Sequence, residues 1–517
     1  MDHPIDLLVI GGGTAGIVGS KTAAQLGART VLVEAHRTGG DCLWTGCVPS
    51  KTILSAAARA AQARETDGSE PDFAQVRQRV SDTIATIEPE DSPEALERAG
   101  VSVLHGHARF TGPGEAEIDG RPVRFRRALI ATGSAPAVPS IPGLDAAQTA
   151  TSDTVWDLTS LPARMVVLGG GPIACELGQA FARLGSQVTI LARSGLLPKE
   201  DRDAAALVQA SLERDGVQVI DEDEASVIRQ APVRQGDASQ NPPVSLITTS
   251  AGRELKAEVI LIATGRTPRT ASLGLEHLGV DLDERGQVLV DDSMRTSNRS
   301  VWAAGDVTTH PKFTHLAGVH ASTAASNAVL GLRRSISQTV PRITYTSPEV
   351  AAVGLTEATG PGMTTSTVSL EDTDRAVTEE SREGFVRLVI DRRGRILGGT
   401  IVGPRAGESL GELSLAVAQK MTTRQLAGVT HAYPTYNDAL WNAAIVHARQ
   451  ALGSPVVKTL TRGLAAVARY RDNHATREQT RAPERAGSED QTEARTEDQA
   501  RSDAPDRAQG DRAQRSA

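Results

Sequence analysis

The chain has 517 residues and a mass of 54.3 kDa, which is too large for one hydrophobic core and predicts about three domains. Its 39% hydrophobic and 23% charged residues are typical of a globular protein. The net charge of -8 argues against nucleic acid as the main partner, and no apolar run is long enough to cross a membrane. With three cysteines and no basic signal-peptide segment at the N-terminus, we expect a cytoplasmic protein in a reducing compartment.

The first element in the chain is an apolar strand over Ile5–Ile10 that runs into a glycine-rich turn. Gly11, Gly13 and Gly16 follow it in the pattern G-x-G-x-x-G, and Glu34 ends the next apolar run. The first glycine allows a tight turn, the second lets a pyrophosphate approach the backbone, and the third lets the helix pack closely on the strand. Because a carboxylate at the end of the second strand can accept from ribose hydroxyls, this segment predicts a dinucleotide site.

Two of the three cysteines, Cys42 and Cys47, lie in the segment GGDCLWTGCVPSK. A disulfide across so short a loop stabilises a fold only modestly, and no second Cys or His pair with zinc-ligand spacing follows. Pro49 suits the first position of a helix, which would place Cys47 at the helix N-terminus, where the helix dipole lowers a thiol pKa. The segment alone leaves the role of the pair open.

A second strand, glycine turn and helix begin at MVVLGGGPIACELGQ, with Gly169, Gly171 and Ala174 in a G-x-G-x-x-A pattern. The strand that follows ends at Arg193 instead of an acidic residue. A cation in this position favours the 2′-phosphate of NADPH over NADH, and the alternative is a solvated arginine. Cys175, one turn into this helix, is expected to be a small buried side chain.

The remaining elements predict an α/β chain whose pattern changes at Pro341. Apolar residues at helix spacing predict helices from residue 52 to about 110, and a further helix is predicted over 314–330. From Pro341 the sequence alternates strands such as GFVRLVI and ILGGTIVG with the helix GELSLAVAQKM.

Three segments are expected outside these elements. Residues 229–243 predict a surface hairpin insertion, and residues 453–472 a basic amphipathic helix. Residues 473–517 contain no Val, Ile, Leu, Met or Cys, so we expect a disordered tail.

Further motifs bring a family resemblance: ALIATGSAP, VILIATGRTP, VWAAGDV, YTSPEVAAVGLTE and HAYPTYND. With the cysteine segment and both glycine turns, they resemble the class I flavin-dependent pyridine nucleotide-disulfide oxidoreductases over about residues 5–450. This family includes dihydrolipoyl dehydrogenase, glutathione reductase and mercuric reductase. The segments ELGQAFARLGSQVTILAR, MRTSN and REGFVRLVI are similar to the catalytic core of mercuric reductase.

The resemblance implies two Rossmann-like domains, for FAD and NAD(P), and a C-terminal α+β dimerisation domain. The expected limits are 1–150 with 265–335 for the FAD domain, 151–264 for the NAD(P) domain, 336–452 for the dimerisation domain, 453–472 for the C-terminal helix and 473–517 for the tail.

The resemblance also implies the path of the electrons. NADPH, or NADH, would reduce FAD, and FAD would reduce a Cys42–Cys47 disulfide that passes electrons to a small-molecule substrate. Cys47 would be the flavin-facing thiol and Cys42 the thiol that meets the substrate. Lys51 would lie near the flavin and pair with Glu176, the alternative being an ordinary surface lysine. Further cofactor contacts are implied at Gly40, Thr132, Gly133, Gly265 and Asp306, the last with the flavin ribityl chain.

By the same resemblance, the protein is a homodimer whose active sites are shared between subunits. In HAYPTYND, Tyr433 occupies the position of the family's catalytic histidine and Asp438 that of its acid. Mercuric reductase also has a tyrosine there, but no cysteine follows Cys175, so the C-terminal cysteine pair of that enzyme is not found. Asp41 and Trp44 also depart from the family pattern and are expected to alter flavin phosphate contacts or narrow the cleft.

These features leave several substrates open. A mercuric ion, a low-molecular-weight disulfide or dihydrolipoamide-type compound, and a quinone or other electrophile all agree with the first half of the cycle. A redox-sensing flavoprotein without turnover is a further alternative. No resident metal, membrane or nucleic-acid partner is expected.

Overall fold

The computed structural model describes residues 4–231, 244–452 and 455–479. The helices in these ranges are α1 (Thr14–Gln25), α2 (Gly40–Trp44), α3 (Cys47–Asp67), α4 (Phe73–Asp91), α5 (Pro93–Arg98), α6 (Pro172–Arg183), α7 (Arg202–Arg214), α8 (Thr314–Leu330), α9 (Asp374–Thr378), α10 (Ala406–Ala418), α11 (Thr423–Ala427), α12 (Asp438–Leu452) and α13 (Pro455–Gln479). The described residues divide into two compact units, the first ending at Arg449 and the second beginning at Gln450.

The strands in the described ranges all belong to the first unit. They are β1 (Ile5–Ile10), β2 (Thr30–Glu34), β3 (Val101–His105), β4 (Ala108–Gly112), β5 (Glu115–Ile118), β6 (Arg121–Ile130), β7 (Ser134–Pro136), β8 (Thr149–Thr151), β9 (Arg164–Leu168), β10 (Gln187–Ala192), β11 (Gln218–Asp221), β12 (Ala225–Gln230), β13 (Ser245–Thr249), β14 (Glu254–Ala257), β15 (Val259–Ile262), β16 (Arg266–Pro268), β17 (Val301–Ala303), β18 (Pro341–Thr344), β19 (Glu349–Gly354), β20 (Thr364–Ser369), β21 (Phe385–Ile390) and β22 (Ile396–Gly403).

The first sheet carries the first glycine turn. Its strands follow the order β3-β2-β1-β6-β5-β4, with β17 beside β6, and β1 is parallel to both β2 and β6. Five of the six residues of β1 are buried, as expected of a parallel strand with both faces covered. Helices α1 and α8 pack together beside this sheet. The carboxyl end of β1 therefore opens directly onto the turn that starts α1.

The second sheet carries the second glycine turn. Its order is β11-β10-β9-β15-β8, and β9 is parallel to both β10 and β15. A two-stranded antiparallel pair, β7 and β16, connects the two parallel sheets, because β7 follows β6 and β16 follows β15. Strands β12 and β13 pair antiparallel on either side of the expected hairpin insertion, of which residues 232–243 lie outside the described residues.

The third sheet is antiparallel in the order β18-β19-β22-β21-β20, and α10 packs against it. Side chains of this sheet share one core with residues of α10 and α12. Two sheets have parallel central strands that lead into glycine turns, and a third, antiparallel sheet packs with helices. This arrangement agrees with the expected α/β fold class. The expected domain limits remain predictions, since the residues up to 449 form one compact unit.

Three boundaries differ from the sequence-based expectation. The helices predicted to about residue 110 end at Arg98, because Gly100 stops the helix and the segment VSVLH forms β3. Helix α3 begins at Cys47 and not at Pro49, which lies third in the first turn, where its missing N–H costs no hydrogen bond. Helix α13 continues to Gln479, so residues 473–479 are helical and do not belong to a disordered tail.

The reason for the longer α13 is local. Once a helix is nucleated, residues such as Ala, Arg, Glu and Gln propagate it without burial. Residues 480–517, the rest of the expected tail, lie outside the described residues. No helix within the described ranges combines the length and apolar character needed to cross a bilayer.

Candidate active site

Both glycine turns open onto one cleft in the first unit. The cleft has a volume of about 2810 Å³ and is lined at the ends of β1 and β9 by Ile10 and Leu168. Cys42 and Cys47 line the same cleft. A pocket for one small ligand measures roughly 300–1,000 Å³, so this cleft is large enough for two dinucleotides.

The first glycine turn fits the phosphates of a dinucleotide. A β-carbon on Gly11 would lie 2.3 Å from the Ala131 carbonyl oxygen, and one on Gly16 would lie 1.7 Å from the Gly11 carbonyl oxygen. Neither position therefore accepts a side chain. Helix α1 has no side-chain cap at its N-terminus, so its first amides are available to an anion.

Glu34 has the place and the spare capacity of a ribose-binding carboxylate. Its carboxylate accepts hydrogen bonds from the Gly12 N–H at 2.5 Å and from the His36 N–H at 2.8 Å. A carboxylate offers about four lone-pair sites, so roughly two remain for hydroxyl groups. The residues of this turn thus fit FAD at the first site.

The other residues implied for cofactor binding gather at the same cleft. A β-carbon on Gly40 would come within 2.5 Å of Gly13 Cα, so α2 lies directly against the first glycine turn. Thr132, Gly133, Gly265 and Asp306 also line the cleft. The Thr132 hydroxyl donates to the Arg269 carbonyl at 2.8 Å, and Asp306 accepts from the Ser134 hydroxyl at 2.8 Å.

The second glycine turn, with Gly169 and Gly171, opens onto the cleft ahead of α6. Arg193 lines the cleft at this end, and its guanidinium lies 3.5 Å from the Glu224 carboxylate, with both side chains exposed. The sequence did not identify Glu224, which would compete with a 2′-phosphate for this arginine. Cys175 is buried as expected, and burial raises its pKa to about 12, so it is a structural thiol.

The two cleft cysteines are chemically unequal. Both are free thiols; Cys42 lies on α2 and Cys47 is the first residue of α3. A hydrogen bond from the Cys42 thiol, with smaller contributions from the Thr314 hydroxyl and the Lys51 charge, outweighs burial and lowers the pKa of Cys47 to about 6. The same contact and burial raise the pKa of Cys42. The arrangement provides one thiolate and one protonated thiol near neutral pH.

Thr314 and Tyr345 complete the surroundings of Cys47, and the sequence identified neither. The Thr314 hydroxyl, at the start of α8, lies 3.2 Å from the Cys47 sulfur. Lys51 Nζ lies 2.9 Å from Glu176 Oε2 and 4.0 Å from the centre of the Tyr345 ring. The other Glu176 oxygen accepts from the Tyr345 N–H at 3.0 Å. The sequence places Tyr345 in the motif YTSPEV, but a motif does not show that its side chain contacts Lys51.

Tyr433 and Asp438 are not brought to the cysteines within the described chain, since neither lines the cleft. Tyr433 is 71% exposed, and its hydroxyl donates to the Asp374 carboxylate, which raises the tyrosine pKa. Asp438 is buried and accepts from the Thr435 N–H at 3.0 Å and the Thr435 hydroxyl at 3.3 Å. It therefore orders the turn before α12.

Comparison with known protein families matches residues 5–321 to the model described as pyridine nucleotide-disulphide oxidoreductase and residues 340–444 to the dimerisation domain of the same group. The mercuric reductase of Streptomyces lividans is 36% identical over 458 residues, covering 85% of this chain and 95% of the relative. The dihydrolipoyl dehydrogenase of Thermus scotoductus is 34% identical over 477 residues, covering 86% of this chain and 98% of the relative.

Solved structures show the same likeness. RclA from Escherichia coli, described as a HOCl-induced flavoprotein disulfide reductase in a Cu(II) complex, matches with a TM-score of 0.77 and 26% identity over 86% of this chain and 99% of that one. LpdA from Mycobacterium tuberculosis matches with a TM-score of 0.77 and 27% identity over 85% of this chain and 99% of that one.

Proposed function

Since the chain belongs to the pyridine nucleotide-disulphide oxidoreductase family of FAD-dependent enzymes, we propose that it passes electrons from NADPH to Cys42 and Cys47 and then to Hg(II). The observation that carries the proposal is the placement of Cys42 and Cys47 in the cleft that both glycine turns share, with the Thr314 hydroxyl 3.2 Å from the Cys47 sulfur. The similarity to mercuric reductases over 85% of the chain supports the metal ion as acceptor.

The chain's own residues have separate tasks in this proposal. Bound FAD would supply the two-electron link between nicotinamide and sulfur. Gly11, Gly16 and Glu34 hold the dinucleotide, and Arg193 binds the 2′-phosphate of NADPH. Cys47 is the thiolate that faces the flavin, and Cys42 is the thiol that meets the acceptor. The overall reaction converts NADPH and Hg(II) to NADP⁺, elemental mercury and one proton.

Lys51 and Glu176 support this chemistry without reacting. Lys51 keeps a positive charge near Cys47, and Glu176 holds the ammonium in place from a side chain that is only 8% exposed. A cation near a sulfur favours its thiolate, which is the reactive form. Because the ion pair is already fixed in place, little reorganisation is needed when negative charge develops on the Cys47 sulfur.

The homodimer is part of the same proposal. The match of residues 340–444 to a dimerisation domain supports it. Tyr433 would then face the Cys42 of the partner subunit, and its exposure in the single chain supports such a placement. Asp438 would keep the Tyr433 loop in shape through Thr435.

A second candidate acceptor is a small disulfide or a quinone, and one observation favours it. The Tyr433 hydroxyl donates a hydrogen bond to Asp374, which raises the tyrosine pKa, so the phenol keeps its proton and is a poor metal ligand. Disulfide and quinone reduction each require protons at the acceptor, whereas reduction of Hg(II) does not.

The test is steady-state oxidation of NADPH and NADH by purified holoenzyme with Hg(II), low-molecular-weight disulfides and quinones as separate acceptors. The proposal expects NADPH turnover with Hg(II) that is lost in Cys42→Ser and Cys47→Ser and kept in the control Cys175→Ser. Turnover with a disulfide or quinone alone would support the second candidate. The absence of sustained turnover with every acceptor would overturn both and favour a redox-sensing role.

A further inference from the structure

Asp41, the residue directly before Cys42, is bound by two arginines, one on β16 and one directly after it. Its carboxylate forms a close ion pair with Arg266 and lies 3.6 Å from the Arg269 guanidinium. The Arg266 side chain is only 15% exposed and that of Asp41 is 37% exposed, so water screens this pair incompletely. Asp41 lies on α2 and Arg266 on β16, which are 225 residues apart in the chain.

Arg266 is itself held by several contacts. Its Nε donates to the Ser134 hydroxyl at 2.7 Å, and its Nη2 donates to the Ser134 carbonyl at 2.9 Å. Ser134 lies on β7, the partner of β16, and its hydroxyl donates to Asp306. A planar guanidinium that satisfies acceptors in several directions has a fixed position. Asp41 is therefore tied to a rigid point of the two-stranded connection.

Besides the ion pair, helix α2 is held by the buried Leu43 and by its packing against the first glycine turn. It is five residues long, and its N-cap, Gly39, makes no side-chain capping bond. Glycines stand on both sides of it, at Gly39 and at Gly46. So short a helix is unstable by itself, and its geometry depends on tertiary contacts. The ion pair of the Asp41 carboxylate is such a tertiary contact, and Asp41 directly precedes Cys42 in the chain.

We propose that Asp41 is a positioning residue for the redox pair: through Arg266 it holds α2 against β7 and β16 and keeps Cys42 within bonding reach of Cys47. The inference rests on the proposed redox role of the two cysteines. Restricting Cys42 raises its effective concentration at Cys47, which favours the disulfide over the dithiol. Formation of the disulfide releases two electrons and two protons. Oxidised glutathione accepts them and is reduced to two molecules of glutathione.

The chain offers a matched control for this proposal. Asp153 lies 3.7 Å from the guanidinium of Arg266 and 3.7 Å from that of Arg269, but it belongs to neither α2 nor β16. Asp153→Asn therefore removes one carboxylate from the same charge cluster and leaves the tie to the cysteine helix intact. Asp41→Asn removes the same charge together with the tie.

The experiment equilibrates holoenzyme, without NADPH, in glutathione buffers of defined potential, then traps thiols by alkylation and measures the Cys42–Cys47 disulfide by mass spectrometry. Asp41→Asn should lower the equilibrium constant for disulfide formation about tenfold, equivalent to about 30 mV for a two-electron couple. Asp153→Asn should shift it less than twofold. Asp41→Glu should recover at least half of the lost disulfide stability. Arg266→Lys keeps the positive charge but removes the planar guanidinium, and it should lower the equilibrium constant as Asp41→Asn does.

Two results would overturn the inference: an equal shift in Asp41→Asn and Asp153→Asn, or wild-type behaviour in both Asp41→Asn and Arg266→Lys. If Asp41→Asn does not yield folded protein, the comparison of Asp41→Glu, Arg266→Lys and Asp153→Asn decides by the same criteria. The outcome is independent of the acceptor. A wild-type chain that forms the disulfide but oxidises no NADPH with any acceptor would refute the proposed function and leave this inference in place.

Discussion

Lys51 and Glu176 form an ion pair, with 2.9 Å between Nζ and Oε2, that joins the helix beginning at Cys47 to the helix after the second glycine turn. Glu176 also binds the backbone of Tyr345, whose ring lies against the Lys51 ammonium. The cation near the redox pair is therefore fixed by three parts of the chain that are distant in sequence.

Removing this cation should cost stability. Lys51→Met leaves the buried Glu176 carboxylate with the Tyr345 N–H but without its cation, and we expect a loss of about 1 kcal/mol in the free energy of unfolding, because Lys51 is partly exposed. The double variant Lys51→Met/Glu176→Gln should recover most of that loss, since no buried charge remains. Urea unfolding of the wild type, of Lys51→Met, of Glu176→Gln and of the double variant measures the coupling between the two side chains. Losses of unfolding free energy that add in the double variant would contradict the coupling.

The pKa of Cys47 should depend on Thr314. The thiolate is present above a pKa of about 6 and is lost as the pH falls through that value. Thr314→Val removes the hydroxyl 3.2 Å from the sulfur, and a hydrogen bond worth about 1 kcal/mol corresponds to a midpoint roughly 0.7 pH units higher. The rate of alkylation of the reduced enzyme between pH 5 and pH 8 measures this midpoint.

Ser50→Ala is the matched control for Thr314→Val. The Ser50 hydroxyl donates to the Cys47 carbonyl oxygen at 3.2 Å and not to the sulfur. We expect its alkylation profile to match the wild type. An unchanged midpoint in Thr314→Val, or the same rise in both variants, would remove Thr314 from the control of the thiol.

Nicotinamide selectivity should depend on Arg193. Arg193→Glu replaces the attraction for a 2′-phosphate by repulsion and adds a second acid beside Glu224. We expect the ratio of kcat/KM for NADPH to that for NADH to fall at least about tenfold, or ~1.4 kcal/mol. Arg253→Glu is the control, since Arg253 pairs with Asp223 next to Glu224 but does not line the cleft. A ratio unchanged by Arg193→Glu refutes the assignment.

Tyr433 should act in the second half of the cycle. Tyr433→Phe should leave reduction of the flavin by NADPH unchanged in stopped-flow traces and slow turnover with the true acceptor. Asp374→Asn removes the charge that raises the Tyr433 pKa, so the alkaline limb of the rate profile should move to lower pH. Equal slowing of both half-reactions in Tyr433→Phe would point to a packing role, and no slowing of either would exclude Tyr433 from the mechanism.

Elements with a strong local signal could be predicted from the sequence. The strand Ile5–Ile10 and the helix Thr314–Leu330 have the predicted limits, because apolar runs and helix spacing act within one element. The glycines of both turns were identifiable by their spacing after an apolar strand, and at Gly11, Gly16 and Gly169 the surrounding backbone leaves no room for a side chain. Where the local signal was weak, as after Arg98, the predicted limits were wrong.

Only the tertiary structure decided which side chains meet at the cysteines. Thr314 reaches the Cys47 sulfur across 267 residues of sequence, and Arg266 reaches Asp41 across 225. Such contacts depend on how the parallel sheets are joined through β7 and β16, and on the packing of α8 beside the first sheet. Periodicity and motifs describe a residue's own element, whereas a distance between two elements results from the packing of all the residues between them.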